Sequence, residues 1–339
     1  MTTRVRVIGA GVAGLTAAYQ FARAGCHVDV IERREGPGLG CSFLAGGMIS
    51  PWCEEEGAEP LVVELGVESL RYWTEIVPVA TTHGSLVLAP ARDRTELARF
   101  ERLTNEHERI GAAKIAALEP DLAGRFDEAL FFPREAHLDP RAATAALAGR
   151  LAAMDNVSLF YGVDAGQLLD DGDDWTIDCR GFDARDALPG LRGVKGEMLV
   201  LNTREVNLSR PIRFIHPRHP VYIVPRGDGR FMIGATMIEN EEAGRITARA
   251  MLELLGAAYA VHPAFAEAEI VETGAGVRPA FADNLPGLRI EGRIIYVNGL
   301  YRHGFLAAPA LARRAAAIAL EGADVEEAMH AHRSQRQEA

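Results

Sequence analysis

Cysteine is scarce in this chain, and its few copies are scattered. The 339 residues include four cysteines, Cys26, Cys41, Cys53 and Cys179, with no CxxC pair and no His/Cys grouping of metal-binding spacing. This pattern argues against a disulfide-stapled secreted fold and against a metal site, so we predict no bound metal and a reducing compartment.

Long apolar runs and an excess of positive charge are also absent. No run approaches the ~18 apolar residues that a membrane span requires, and the net charge is −11. Nucleic acids and anionic membranes attract basic patches, so neither is expected as a partner. A strand-like run follows the first Met almost directly and leaves no room for a signal peptide. We therefore expect a cytoplasmic protein.

A glycine-rich pattern near the start of the chain is the clearest motif. Gly9, Gly11 and Gly14 form GxGxxG between a β-branched run and an alanine-rich segment that opens with Val12 and Ala13. The pattern predicts a strand–turn–helix unit that binds a dinucleotide: the glycines permit a tight turn, backbone approach to the pyrophosphate and close helix–strand packing. The pyrophosphate would lie on the amides at the helix N-terminus.

A second β-branched run follows this helix and ends at Glu32. An acidic residue at this place is suited to accept a hydrogen bond from a ribose 2′-hydroxyl, and it disfavours a 2′-phosphate. The residues alone therefore leave FAD and NAD open and argue against NADP.

Helix-like and strand-like segments alternate along the rest of the chain. Spacing and composition predict helices over 62–77, 92–110, 140–154, 248–260 and 307–320. Strands are predicted over 157–161, 175–179, 198–201, 221–225, 230–234 and 293–297, with a hairpin turn at 226–229. The last strand, glycine-bearing loop and helix repeat the geometry of the first, so both chain ends would bring a helix N-terminus to one cofactor.

Several motifs occur in the order of a known family. They are Ala-Gly-Gly-Met-Ile at 45–49, Tyr-Ile-Val-Pro-Arg at 222–226, Gly-Ala-Thr-Met at 234–237, Gly-Val-Arg-Pro at 276–279 and Leu-Tyr-Arg-His-Gly at 300–304. Together with the fingerprint, they resemble the glycine oxidase branch of the D-amino-acid-oxidase-like flavoproteins, from about residue 3 to 320. The loop differs from that pattern by a histidine, His303, in place of an amide residue.

The resemblance implies an α/β and α+β fold: a Rossmann-like FAD-binding domain with an antiparallel-sheet substrate domain. The FAD-binding domain would be discontinuous, over 1–52, 135–200 and 275–330, and the substrate-binding domain would cover 53–134 and 201–274. FAD would be bound noncovalently. The oligomeric state stays open, with a homo-oligomer as one option.

Oxidation of an amino acid requires an anchored carboxylate more than a protein acid or base. An arginine fork is suited to that task, and the resemblance places Arg302 there first, with the Tyr222 hydroxyl on the same carboxylate. It makes Arg278 a second active-site arginine near the substrate or the flavin, and Met237 a pocket residue. The amides of Gly304, Phe305 and Leu306 would meet the flavin.

The complete set of residues expected at the cofactor combines the fingerprint with the motifs. It comprises Gly9, Gly11, Val12, Ala13, Gly14, Glu32, Arg33, Ser42, Ala45, Gly46, Gly47, Met48, Val163, Arg278, Tyr301, Arg302, His303, Gly304, Phe305 and Leu306.

The activity expected from the resemblance is oxidative deamination of glycine or another small amino acid. O₂ would be reduced to H₂O₂, and the product could supply thiamine thiazole synthesis. A dehydrogenase that oxidises a D-amino acid or a secondary amine and passes electrons to another carrier is the alternative. A flavoprotein that binds FAD only as a scaffold is a third reading, and the arginine pair with Tyr222 argues against it.

Overall fold

The computed structural model describes residues 2–167, 174–215, 220–326 and 328–329, and two large sheets organise them. The strands are β1 (Arg4–Ile8), β2 (His27–Glu32), β3 (Met48–Ile49), β4 (Ser85–Leu88), β5 (Glu108–Gly111), β6 (Glu128–Phe132), β7 (Ala136–His137), β8 (Val157–Tyr161), β9 (Trp175–Asp178), β10 (Arg192–Asn202), β11 (Ile212–Phe214), β12 (Val221–Gly227), β13 (Arg230–Gly234), β14 (Ile238–Glu239), β15 (Glu269–Ala280), β16 (Gly287–Glu291) and β17 (Ile294–Asn298).

Eight α-helices connect and cover these sheets in the described part of the chain. They are α1 (Val12–Arg23), α2 (Pro51–Glu54), α3 (Pro60–Arg71), α4 (Arg94–Leu103), α5 (Ala112–Leu118), α6 (Pro140–Ala152), α7 (Ala248–Val261) and α8 (Gly304–Glu321). A π-helical turn, Tyr72–Ile76, follows α3 directly. Short 3₁₀ turns lie at Cys41–Leu44, Ala91–Asp93, Pro120–Leu122, Ala165–Gln167, Gly181–Asp186 and Pro263–Ala266.

The first sheet has six strands in the order β16-β17-β9-β1-β2-β8. All neighbours are parallel except β16 and β17, which form an antiparallel hairpin at one edge. Helices α1, α6 and α8 pack with this sheet, and α3 packs on α8. Their shared core is apolar and includes Val7, Leu15, Ile177 and Leu311. A parallel sheet with helices packed on it is the architecture of dinucleotide-binding folds.

The second sheet has nine strands and is antiparallel except where β11 runs parallel to β4. Its longest pairing joins β10 to β15, and β12 and β13 form the predicted hairpin. Helix α7 packs on it over a separate core that includes Leu199, Ile223, Phe231 and Leu254. A small sheet of β3 and β7 completes the described topology. The predicted α/β and α+β fold class is confirmed.

Local signals predicted several elements correctly. Helix α6 begins where Asp139 accepts hydrogen bonds from the amides of Arg141 and Ala142, as its Asp-Pro start predicts. The helix predicted over 92–110 is only half right, because α4 ends at Leu103 and β5 follows. Thr104 is extended and Glu106 has a φ of +59°, so the helix stops, and β5 pairs with β6.

Sheet membership also bears on the predicted domain division, which stays a prediction. All six strands of the first sheet fall inside the predicted FAD-binding segments. Strand β10 pairs in the second sheet along its whole length, so the predicted boundary at 200 does not coincide with the change of sheet. None of the helices among the described residues is long and apolar enough to cross a membrane.

Candidate active site

One large cavity, with a volume of about 410 Å³, is lined by strands of the second sheet and by helices and loops that follow strands of the first. Its wall includes the N-terminal ends of α1 and α8, the loop over 41–50, and parts of β10, β12 and β15. A helix N-terminus carries unpaired amides and partial positive charge, so two of them at one cavity favour an anionic ligand. Among the described residues no group of three or more His, Cys, Asp or Glu is arranged to hold a metal ion.

The first helix N-terminus has the backbone geometry that a pyrophosphate requires. Gly9 has a φ of +100°, and a β-carbon there would be 2.7 Å from the carbonyl oxygen of Cys179. A β-carbon at Gly14 would collide with the carbonyl oxygen of Gly9. The Ser42 hydroxyl accepts a hydrogen bond from the amide of Val12 at 3.0 Å. Gly11, Val12 and Ala13 lie on the cavity wall, so the start of α1 is placed to bind the phosphate groups of a dinucleotide.

Three residues expected at the cofactor, Glu32, Arg33 and Val163, are not among the residues that line the cavity. The Glu32 carboxylate is buried and accepts hydrogen bonds from the amides of Ala10 at 2.8 Å and Arg34 at 2.9 Å. The amide of Val163 donates to the carbonyl oxygen of Glu32 at 3.0 Å. Arg33 forms an ion pair with Asp183. The carboxylate of Glu32 is thus held in place, and the cofactor-binding roles of Glu32, Arg33 and Val163 remain predictions.

The loop Ala-Gly-Gly-Met at 45–48 is clamped by an arginine of the hairpin. The Arg226 guanidinium donates to the carbonyl oxygens of Ala45, Gly46 and Leu138 at 3.0, 2.9 and 2.7 Å. Its burial lowers the pKa of Arg226 to about 10, so it stays charged at neutral pH. Gly47 has a φ of +74° and lies against Leu138. Because three carbonyl groups converge on one side chain, this small-residue wall has a fixed shape.

A buried tryptophan holds the N-terminus of α8. The indole Nε1 of Trp73, which is fully buried, donates to the carbonyl oxygen of Phe305 at 2.8 Å. Gly304, Phe305 and Leu306 all line the cavity, and the helix has no side-chain cap at His303. Burial, together with nearby arginines, lowers the pKa of His303 to about 4, so its imidazole is neutral at pH 7. This N-terminus therefore presents amides and no formal charge.

Tyr222, Arg278 and Met237 also line the cavity. The Arg278 guanidinium packs on Gly196 and donates to the carbonyl oxygen of Thr236 at 3.0 Å. Within the described residues it forms no ion pair with a carboxylate. Met237 is 50% exposed, and its sulfur accepts from the hydroxyl of Tyr301 at 3.4 Å. Arg278 thus contributes a positive charge to the cavity that no described carboxylate neutralises.

Arg302, the arginine that the resemblance ranked first, faces a carboxylate of the protein itself. Its guanidinium is 3.7 Å from the Glu54 carboxylate, which also accepts a hydrogen bond from Arg213 at 3.1 Å. Despite the cost of burial, the neighbouring guanidinium groups lower the pKa of Glu54 to about 2. Neither Glu54 nor Arg213 is among the site residues predicted from the sequence. An acidic run at 54–56 has the composition of a solvated loop, so only the fold shows this contact.

Comparisons with known proteins agree with this architecture. The family model described as FAD dependent oxidoreductase matches residues 4–318. The chain is 56% identical to a Rhizobium etli protein assigned to thiamine biosynthesis as the oxidoreductase ThiO, over 91% of this chain and 94% of the relative. It is 26% identical to a glycine oxidase of Pseudomonas aeruginosa, over 92% and 93% of the two chains.

A solved structure with the same fold is the iminodiacetate oxidase of Chelativorans sp. BNC1. It has a TM-score of 0.78 and 28% identity, and the match covers 95% of this chain and 96% of that one. The paired helix N-termini and the glycine-lined backbone fit the anionic cofactor that the family binds, so FAD is the cofactor. The individual site residues are placed by the structure, and their roles stay predictions.

Proposed function

The chain belongs to the family of FAD-dependent oxidoreductases, and from that premise we propose that it oxidises glycine or another small amino acid. The amino acid, O₂ and water would yield the 2-oxo acid, ammonia and H₂O₂, with an imine formed first and then hydrolysed. The thiamine-biosynthesis name of the 56% identical relative supports a role in supplying the thiamine thiazole. The glycine oxidase name of the second relative supports the substrate class.

The observation that carries this proposal is the unneutralised charge of Arg278 in the cavity. Arg278, Tyr222 and the N-terminus of α8 line the same cavity, and Arg278 forms no ion pair with a described carboxylate. A guanidinium binds a carboxylate in a fixed orientation through two parallel hydrogen bonds. We therefore assign the substrate carboxylate to Arg278 with the Tyr222 hydroxyl, whereas the family resemblance places Arg302 there first.

The protein groups then have limited tasks. Bound FAD supplies the acceptor for the hydride that leaves the substrate α-carbon. Arg278 and Tyr222 hold the carboxylate and thereby orient that α-carbon. The amides at Gly304, Phe305 and Leu306, with the dipole of α8, stabilise negative charge that develops beside them. His303 lies 3.8 Å from Glu54 and is neutral at pH 7, so it adds no charge to the site.

An anaerobic titration of the purified holoprotein tests the proposal. We expect glycine or another small amino acid to bleach the flavin absorbance, whereas carboxylates that lack an amine do not. Arg278→Ala should raise KM by about 30-fold or more, because removing one partner of a desolvated charge pair costs 2–5 kcal/mol. Arg289→Ala is the matched control, since Arg289 stacks on Phe281 outside the cavity wall.

Three outcomes would contradict the proposal or part of it. Absence of flavin reduction by every amino acid and amine in a panel of glycine, sarcosine and D- and L-amino acids would leave the scaffold reading. An unchanged KM in Arg278→Ala would remove Arg278 from the substrate site. Reduced enzyme that stays reduced in air would replace the oxidase with a dehydrogenase that uses another electron acceptor.

A further inference from the structure

The two arginines that the resemblance assigns to the active site differ in one respect: Arg302 already faces a carboxylate. The Glu54 Oε2 atom is 3.7 Å from the Arg302 guanidinium and 3.8 Å from Nδ1 of His303. Its Oε1 atom accepts a hydrogen bond from Arg213 at 3.1 Å. The Glu54 side chain is 16% exposed and lines the cavity. Glu54 therefore bridges a strand of the second sheet to the loop before α8.

The charges on the cavity wall leave room for one substrate carboxylate. Arg99, Arg213, Arg278 and Arg302 line the cavity, and so do Glu54, Glu56 and Glu96. Glu56 interacts with Arg99 and Arg213, so the charge that stays unpaired is that of Arg278. A second carboxylate bound at Arg302 would therefore meet the charge of Glu54, 3.7 Å from that guanidinium.

We propose that Glu54 is a specificity-determining residue that takes the place of a second substrate carboxylate at Arg302. This inference rests on the proposed oxidation of amino acids. Because Glu54 neutralises Arg302, the site selects substrates with one carboxylate and rejects dicarboxylates by like-charge repulsion. Glu54 touches neither substrate nor cofactor in this role and acts through Arg302.

The Arg302–Glu54 pair is arranged for such a role. The separation of 3.7 Å is that of an ion pair without a direct hydrogen bond, so Arg302 keeps donors that can bind another group. The Arg302 side chain is 29% exposed and faces the cavity. Removal of the Glu54 charge should therefore convert Arg302 into a second carboxylate-binding group.

Sarcosine and iminodiacetate form the substrate pair that tests this inference. Both are N-substituted glycines, and iminodiacetate carries a carboxylate where sarcosine has a methyl hydrogen. We expect Glu54→Gln to shift the ratio of kcat/KM for iminodiacetate to that for sarcosine upward by about tenfold or more, the factor that corresponds to 1.4 kcal/mol. Glu54→Asp keeps the charge and should restore the wild-type ratio.

Glu56→Gln is the matched control. Glu56 lies in the same acidic run and pairs with Arg213 and Arg99, and it has no contact with Arg302. Its removal should leave the ratio unchanged. An equal ratio in wild type and Glu54→Gln, or an equal shift in Glu56→Gln, would overturn the inference.

A binding measurement on the wild-type holoenzyme provides a second test that needs no variant. Acetate and malonate are unreactive probes with one and two carboxylates, and each perturbs the flavin absorbance when it binds nearby. We expect malonate to bind no more tightly than acetate, and tenfold tighter binding of malonate would contradict the inference. If neither sarcosine nor glycine reduces the flavin, the proposed function fails instead, and the binding comparison still reports on Glu54.

Discussion

Gly46 lies directly against the ring of Tyr222, and a β-carbon at position 46 would be 2.6 Å from ring atom Cε2. The absence of a side chain at Gly46 therefore sets the position of the Tyr222 ring. Gly234 approaches the same ring from the hairpin, where a β-carbon would be 2.9 Å from Cε2. The hydroxyl that we assign to the substrate carboxylate is thus positioned by two glycines.

We expect Gly46→Ala to slow flavin reduction by about 10- to 100-fold, because the added methyl group displaces Tyr222 from the substrate. Stopped-flow measurement of anaerobic flavin reduction provides the rate. Gly57→Ala is the matched control, since a β-carbon at position 57 meets nothing within 4 Å. Equal rates in Gly46→Ala and wild type would show that the Tyr222 hydroxyl does not orient the substrate.

Arg226→Lys should weaken FAD retention by about tenfold or more. A lysine keeps the charge, but its ammonium cannot reproduce the planar fork that joins three carbonyl groups. The FAD content after gel filtration and the dissociation constant of the apoprotein for FAD measure the effect. Arg230→Lys, an exposed change in the same hairpin, serves as the control. Full FAD retention in Arg226→Lys would show that the hydrogen bonds from Arg226 to these three carbonyl groups do not support FAD binding.

Thr236→Val should raise KM for the amino acid several-fold with a small change in kcat. The Thr236 hydroxyl accepts from the amide of Glu197 at 2.9 Å and is 3.2 Å from its carboxylate. These bonds fix the segment whose carbonyl oxygen accepts from Arg278, so their loss should loosen the carboxylate-binding arginine. The expected loss of stability is about 1–2 kcal/mol. Thr203→Val is the control. An equal KM in the two variants would show that the Thr236 hydroxyl does not hold Arg278 in position.

Glu135 should make the protein less stable as pH rises. Its carboxyl group is fully buried, accepts from the amide of Cys53 at 2.8 Å and from the hydroxyl of Ser85, and burial raises its pKa to about 7. A folded-state pKa above the unfolded value stabilises the fold fully below about pH 4.5, and that contribution is lost as pH rises through 7.

Glu135→Gln mimics the protonated carboxyl group and isolates this effect. Relative to wild type, its free energy of unfolding should rise by on the order of 3 kcal/mol between pH 4.5 and 7.5. Urea unfolding at several pH values measures the difference. Parallel pH profiles for the two proteins would mean that Glu135 does not titrate in this window. The difference between the two proteins removes the opposite contributions of Glu54 and His303, whose pKa values are lowered.

The parts of the fold that are determined by residues close together in the sequence could be predicted from the sequence. The glycine fingerprint, the Asp139 cap and the hairpin at 226–229 each carry their own local signal. Strand β5 could not be predicted, because its pairing with β6 outweighs a helical pattern that continues past Leu103. The first half of β10 has few apolar residues, and its register with β15 holds it in the sheet.

The same distinction applies to the site. The order of the motifs in the sequence predicted that both helix N-termini and both arginines lie at one site, and all four line the cavity. The contact between Glu54 and Arg302 joins the end of α2 to the loop before α8, and no sequence pattern in either segment indicates it. This contact decides which arginine keeps an unpaired charge.

The strands of the first sheet do not follow the order of the chain, and this affects how the protein folds during its synthesis on the ribosome. Strand β1 lies between β2 and β9, and β17 then pairs on β9. About 290 residues separate β1 from β17, so a ribosome working at 5–20 residues per second needs roughly 15–60 s to deliver the last partner. During that interval the free edge of β1, and later that of β9, is open to pairing with other chains. A nascent chain of this protein therefore depends on shielding until its C-terminal strand emerges.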